Sequence, residues 1–305
     1  MKKLLSNFLK IGITVFLFWW LSRSVEIGEL LAYFKSIPRG LVLAIFSLGL
    51  LNVAGQALRF YTSVHFLMPA FTAKQLVVSH FSGFALRLIL PASMGEVGKV
   101  FMLPGNNKTR IYTFLLDAFY CTATNLFFFG IACFLLYPQM WYMLGFCLVF
   151  IVFFWIYRLL VRTTNFKKHI PDTVPYFKFG LANISFSIFT MVVYVAQYWV
   201  LLKNFGMSLF DTAKASIFIL GVGYIPLSFA GMGFRENGAQ YVLANFGVSS
   251  HVAVGTAMLV FSANVLFPAL IGVIMLTFVS DIKLRDIRAM VKKKEQESKD
   301  LKRES

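Results

Sequence analysis

Four long stretches of this chain, residues 118–157, 179–202, 215–234 and 237–280, contain no Asp, Glu, Lys or Arg. A helix needs about 20 consecutive apolar residues to cross the hydrocarbon core of a bilayer, and these stretches are long enough. A soluble globular chain carries roughly a quarter charged residues, whereas this one carries 14%, with 58% hydrophobic residues and 35 Phe among 305. No aqueous fold hides that much apolar surface. The chain reads as an all-α polytopic membrane protein.

Full spans are expected at about 8–22, 40–60, 110–137, 140–161, 177–202 and 251–279, six in all. Pro138-Gln139 divides the longest apolar stretch into two helices. Residues 26–37 read as a short amphipathic segment in the interface. The start, Met1-Lys2-Lys3 before the apolar run Ile11–Leu21, looks superficially like a secretory leader. That run closes on Trp19-Trp20-Leu21-Ser22-Arg23-Ser24 rather than on small residues, so an uncleaved span with an aromatic anchor is expected. Cys121, Cys133 and Cys147 lie in apolar spans and read as small hydrophobes. The four histidines share no ligand spacing, so no metal site and no cofactor are expected.

Two regions resist the spanning description. Residues 74–108 are interrupted by Arg87, Pro91, Gly95-Glu96 and Gly98-Lys99. Residues 212–247 are interrupted by Gly221, Gly223, Pro226, Gly231, Gly233 and Arg235-Glu236. Such breaks leave backbone groups without helical partners, which hydrocarbon does not tolerate unless protein or a wet cavity satisfies them. Both regions therefore read as re-entrant helical hairpins. With the N-terminus inside, the cytoplasmic segments 1–10, 59–110, 158–178 and 281–305 hold 23 Lys/Arg and the outer segments hold 5. That bias places both termini in the cytoplasm. Each half, about 8–137 and 140–279, then has three spans and one hairpin. An odd number of crossings inverts the second half, as in the inverted-topology repeats of many secondary transporters. Residues 1–280 form one membrane domain, followed by a basic tail, 281–305.

The net charge of +16 does not argue for nucleic acid, because nine of the 29 basic residues sit in that tail. A basic juxtamembrane segment marks the cytoplasmic side and is drawn to anionic lipid.

Chemistry is expected at the two breaks, Leu90-Pro91-Ala92-Ser93-Met94-Gly95-Glu96-Val97-Gly98-Lys99 and Ile225-Pro226-Leu227-Ser228-Phe229-Ala230-Gly231-Met232-Gly233-Phe234-Arg235-Glu236. A half-helix starting after each break aims free N–H groups and a positive dipole end into the gap. A lipid phosphate suits that end, aided by Lys99 or Arg235. Glu96 and Glu236 suit a cationic headgroup or a coupling proton. Ionisable groups within a membrane are costly and are read first as functional. The competing reading makes them structural ion pairs, Glu96 with Lys99 or Arg87 and Glu236 with Arg235. Arg59 reads as a snorkelling anchor at a span end, and Asp117, two turns into its span, as a group able to meet the first hairpin.

These two runs resemble the "LP…GE..R" and "P…GG.G.RE" signatures of the lysylphosphatidylglycerol synthase transmembrane-region family, over nearly the whole chain. The resemblance implies movement of a phospholipid or lipid-linked headgroup between leaflets, through a polar cavity formed by the two hairpins. Pro91, Gly95, Glu96, Gly231, Gly233, Arg235 and Glu236 match position by position. Two positions depart: the family's basic residue after the first Glu is commonly Arg and is Lys99 here, and Asp117 is followed by Ala118 rather than Arg. With Ser305 as the last residue, the membrane region is expected without the cytoplasmic synthetase domain.

The expected substrate-binding set is Arg87, Pro91, Gly95, Glu96, Lys99, Asp117, Pro226, Gly231, Gly233, Arg235 and Glu236. The expected partners are membrane lipids, an anionic phospholipid or a lipid-linked substrate, with a second copy or a membrane synthase as further candidates. The expected location is the inner membrane of a bacterium or archaeon. Two other classes compete. An accessory subunit of a lipid- or glycan-modifying system would use the motifs for folding alone. A polyprenyl-linked transferase would need paired carboxylates or a His–acid pair, and the chain has no Asp-x-Asp and no His-x4-Asp. It is not expected to be an enzyme.

Overall fold

The computed structural model describes residues 26–68, 71–89, 98–100, 102–103, 107–145, 147, 176–224 and 231–278. The expected first span, most of the one at 140–161, the basic tail and the core of both breaks lie outside these residues.

The described chain is helical and contains no strand. The short helix α1 (Ile27–Ser36) leads through Ile37-Pro38 into α2 (Arg39–Leu67). Proline pre-sets φ for a helix start and is tolerated where no intrahelical N–H bond is needed. Helix α3 (Ala73–Ile89) follows a reciprocal cap in which Thr72 N–H donates to Gln75 Oε1 at 2.9 Å and Gln75 N–H to Thr72 Oγ1 at 3.2 Å. That is the Thr-x-x-Gln capping box. Helix α4 (Asn107–Leu136) stops before Pro138, where the chain tightens into a 3-10 turn over Pro138–Leu144. Helix α5 (Tyr176–Leu202) closes through a short 3-10 turn on Gly206.

Helices α6 (Leu209–Val222) and α7 (Phe234–Ala244) flank the second break, and α8 (Ser250–Phe261) runs through a π-helical turn, Ser262–Leu266, into α9 (Phe267–Phe278). The π turn has a local cause. Pro268 lacks an N–H, and its ring crowds the carbonyl four residues earlier, so the helix widens just before it. The span expected at 251–279 is thus continuous but not uniformly α.

Among the described residues, four stretches are long and apolar enough to cross a membrane: Arg39–Leu67, Thr109–Leu136, Phe177–Phe205 and Ser250–Thr277. Helices α6 and α7, with 14 and 11 residues, reach only about 21 and 16 Å at 1.5 Å per residue. Neither can cross a hydrocarbon core of about 30 Å alone.

Hydrogen bonds fix how the spans pair. Gln197 Nε2 donates to the Ile45 carbonyl at 3.1 Å, Asn52 Nδ2 to the Thr190 carbonyl at 2.8 Å, and Ser63 Oγ to Asn183 Oδ1 at 3.1 Å. Numbers rise along α2 as they fall along α5, so these two helices are antiparallel. A Cβ on Gly55 would meet the Phe189 ring at 2.7 Å, a measure of how closely they approach.

Helix α6 is antiparallel to α4: Phe218 packs beside Phe129 and Tyr137, and Tyr224 reaches Asn125. Helix α7 then returns to the Tyr137 end, where Asn245 Nδ2 donates to the Tyr137 hydroxyl at 2.7 Å and the Tyr241 ring lies 5.8 Å from the Tyr137 ring. Helix α3 packs along α9, as α6 packs along α4.

Candidate functional site

Asp117 sits at the centre of a buried charge cluster. Arg59 Nε donates to its Oδ1 at 3.2 Å and Lys99 Nζ to its Oδ2 at 3.1 Å, with the carboxylate side chain 1% exposed. Ser63 Oγ lies 3.2 Å from Oδ1 and shares its single proton between that oxygen and Asn183 Oδ1. The pieces come from three elements: Arg59 and Ser63 from α2, Lys99 from the turn after the first break, and Asp117 from α4. Isolated charges at such burial are strongly disfavoured, and the cluster holds only because cation and anion satisfy each other. Lys99 is fixed further by the Phe60 ring, 4.6 Å from its Nζ to the centroid. Its carbonyl accepts from Ser79 Oγ on α3.

Arg59 is therefore not a snorkelling anchor. It is 6% exposed and turned inward to Asp117, on a polar stripe of α2 formed by Asn52, Gln56, Arg59 and Ser63. Steps of four, three and four residues put all four on one helix face, and that face meets protein rather than lipid. This stripe was the readable signal for Arg59, Ser63 and Gln56, which motif reasoning missed. Asn183 and Thr190 hold the matching face of α5.

The second break has a different construction. Gly231 and Gly233 take φ of +75° and +83°, a conformation side chains with a Cβ rarely adopt. A Cβ on Gly231 would also lie 2.6 Å from the Gly223 carbonyl oxygen. Glu236 Oε2 accepts from the Gly233 N–H at 2.6 Å. This is the glutamate half of a capping box at the start of α7, the other half being absent because Gly233 has no side chain. The Arg235 guanidinium lies over the Phe261 ring, 4.4 Å from its centroid. Tyr194 and Tyr198 of α5 stand within electrostatic reach of both Arg235 and Glu236.

Tyr224, at the tip of α6, joins the two regions. Its hydroxyl accepts from Asn125 Nδ2 at 2.7 Å and stands within electrostatic reach of Arg59 and Arg87. A shallow open cleft is lined among the described residues by Gln56, Arg59, His80, Arg87 and Lys99, with Gly83 and Phe84.

Of the expected site residues, Lys99 and Asp117 are in direct contact and Arg87 shares the cleft wall with Lys99. Gly231, Gly233, Arg235 and Glu236 form the second group. Pro91, Gly95, Glu96 and Pro226 lie outside the described residues, so the expected pairing of Glu96 does too. Lys99 meets Asp117, a partner that the ion-pair reading of the first break did not contain.

The family model described as Lysylphosphatidylglycerol synthase TM region matches residues 7–272. No curated protein matches the chain.

Proposed function

The chain belongs to the lysylphosphatidylglycerol synthase transmembrane-region family, and from that membership we propose that it moves a phospholipid or lipid-linked headgroup between membrane leaflets. The family and the apolar helices make it a membrane protein related to lipid modification or transport. The transport reading is carried by one observation: Tyr224, at the second break, reaches Asn125 and the electrostatic neighbourhood of Arg59 and Arg87, beside the ion pair formed by Lys99 after the first break. In this reading the two interrupted helical regions share one polar interior.

Asp117 lies about two turns into the apolar part of α4, below the helix end that carries Lys108 and Arg110. The second break reads as re-entrant, since α6 leaves the Tyr137 end and α7 comes back to it. The inverted repeat draws support from the antiparallel pairing of α2 with α5 and from the exchange of partners between α3–α9 and α6–α4. We place the chain in the bacterial or archaeal cell membrane with both termini cytoplasmic, on the charge bias of its loops. In this reading it acts on lipid without covalent chemistry.

The test is leaflet exchange of headgroup-labelled lipids in proteoliposomes by wild type, Glu96→Gln and Arg235→Ala. Exchange by wild type that both folded variants lose supports a transporter with its site at the breaks. Exchange of none of the lipids by folded wild type sinks it, and favours the accessory-subunit reading.

A further inference from the structure

The π turn Ser262–Leu266 lies near the middle of the apolar stretch Ser250–Thr277. Asn264, inside that turn, is 7% exposed, and its amide has a fixed polarity. The Ile45 carbonyl of α2 can only accept, so Gln197 of α5 gives it Nε2 at 3.1 Å and turns Oε1 the other way. That oxygen can only accept in turn. Asn264 Nδ2 donates to it at 2.7 Å and to the Val260 carbonyl at 3.0 Å, which uses both N–H groups of the side chain. Oδ1 is left buried and, among the described residues, without a hydrogen-bond partner. Native structures rarely keep such a group without reason.

The preceding residue leaves a second oxygen without a helical donor. The Ala263 carbonyl would take the N–H of Phe267 in an α-helix, or that of position 268 in a π-helix. Phe267 donates to the Ser262 carbonyl instead, and Pro268 has no N–H. Helix α2 faces this carbonyl with Gly49, where a Cβ would lie 2.9 Å from the oxygen, so no side chain caps it from there. Oxygens freed in a locally opened helix hold the small cations of ion-coupled carriers. Neutral amide oxygens suit a monovalent ion, since calcium and magnesium draw on carboxylates. The described residues hold no acidic cluster fit for a divalent metal.

We propose that the π turn binds a sodium ion through Asn264 Oδ1 and the Ala263 carbonyl, with water completing the shell. The turn abuts the second break, where Phe261 and Val265 pack with Met232 between the left-handed Gly231 and Gly233. The proposal deepens the transport reading by naming a coupling ion, and rests on that reading for the coupling alone.

Binding of radiolabelled sodium in excess choline, and melting in sodium against choline at equal ionic strength, would be measured on the full chain in detergent at alkaline pH. Wild type is expected to bind sodium and to melt at least about 2 °C higher in it. Asn264→Leu should lose both effects. Asn264→Asp keeps Oδ1, adds a charge and gives up the bond to Gln197. It should therefore bind sodium about tenfold more tightly while being the less stable protein, a split that a purely structural Asn264 would not produce. No sodium bound by folded wild type overturns the site, as does unchanged sodium affinity in Asn264→Asp. That second comparison decides even where Asn264→Leu does not fold. Leaflet exchange measured in parallel keeps the two ideas apart. Sodium binding without exchange sinks transport alone, whereas exchange by a chain that binds no sodium sinks the ion site alone.

Discussion

Lys99 Nζ stands 3.1 Å from Asp117 Oδ2, tying the turn after the first break to a spanning helix at a buried point. Arg59 completes the group from a third element, so one carboxylate organises three segments.

Removing that carboxylate's charge therefore takes a shared partner from two buried cations. Asp117→Asn keeps the shape and an acceptor for Ser63 Oγ, yet should cost about 3–5 kcal/mol, the scale for breaking a buried ion pair from one side. Thermal unfolding of the purified protein should show a large drop. Lys99→Met combined with Asp117→Asn should lose less than the sum of the single changes, with coupling above about 0.5 kcal/mol. Strict additivity would mean the pair is not formed.

Glu236 offers a way to separate folding from function. Its contact with the Gly233 N–H at 2.6 Å can be kept by Gln, the other residue that suits this position of a capping box. Glu236→Gln should hold stability within about 0.5 kcal/mol, whereas Glu236→Ala should lose about 0.5–2 kcal/mol, as a lost helix cap does. Thermal melts give the comparison. Leaflet exchange lost in the stable Gln variant would assign the charge itself to transport.

Two left-handed glycines should respond unequally to alanine. Gly247→Ala, with φ of +74° and open space around it, carries only the backbone penalty, about 1–2 kcal/mol. Gly231→Ala adds a collision with the Gly223 carbonyl oxygen and should be the worse by thermal melt.

Helix-packing glycines give the same contrast at an interface. A Cβ on Gly272 of α9 runs into the Phe81 carbonyl of α3, so Gly272→Ala must separate two backbones and should cost about 1–3 kcal/mol. Gly40, in the first turn of α2, has open space around it. Gly40→Ala should be neutral or stabilise by up to about 1 kcal/mol, from the lower entropy of the unfolded chain and the better helix former. Paired melting curves decide it.

Apolar length and punctuation made much of this legible in the sequence. The runs at 40–60, 110–137, 177–202 and 251–279 each correspond to a spanning stretch, because the bilayer admits only helices of that length. The glycines and prolines of the second region likewise marked where α6 ends and α7 begins. What escaped was partnership. Arg59 lies toward the far end of α2, where a charge ordinarily marks the membrane surface. Its inward turn depends on Asp117, 58 positions away, and no local pattern carries that information.

The antiparallel bonds between α2 and α5 limit how such a molecule can move. Ile45, Asn52 and Ser63 are each fastened to α5, across a length of α2 of about 27 Å at 1.5 Å per residue. Sliding either helix by one turn would break all three fastenings together, in a medium that offers no water in exchange. The pair is built as a fixed axle, and in the transport reading opening or closing falls to the shorter helices around it.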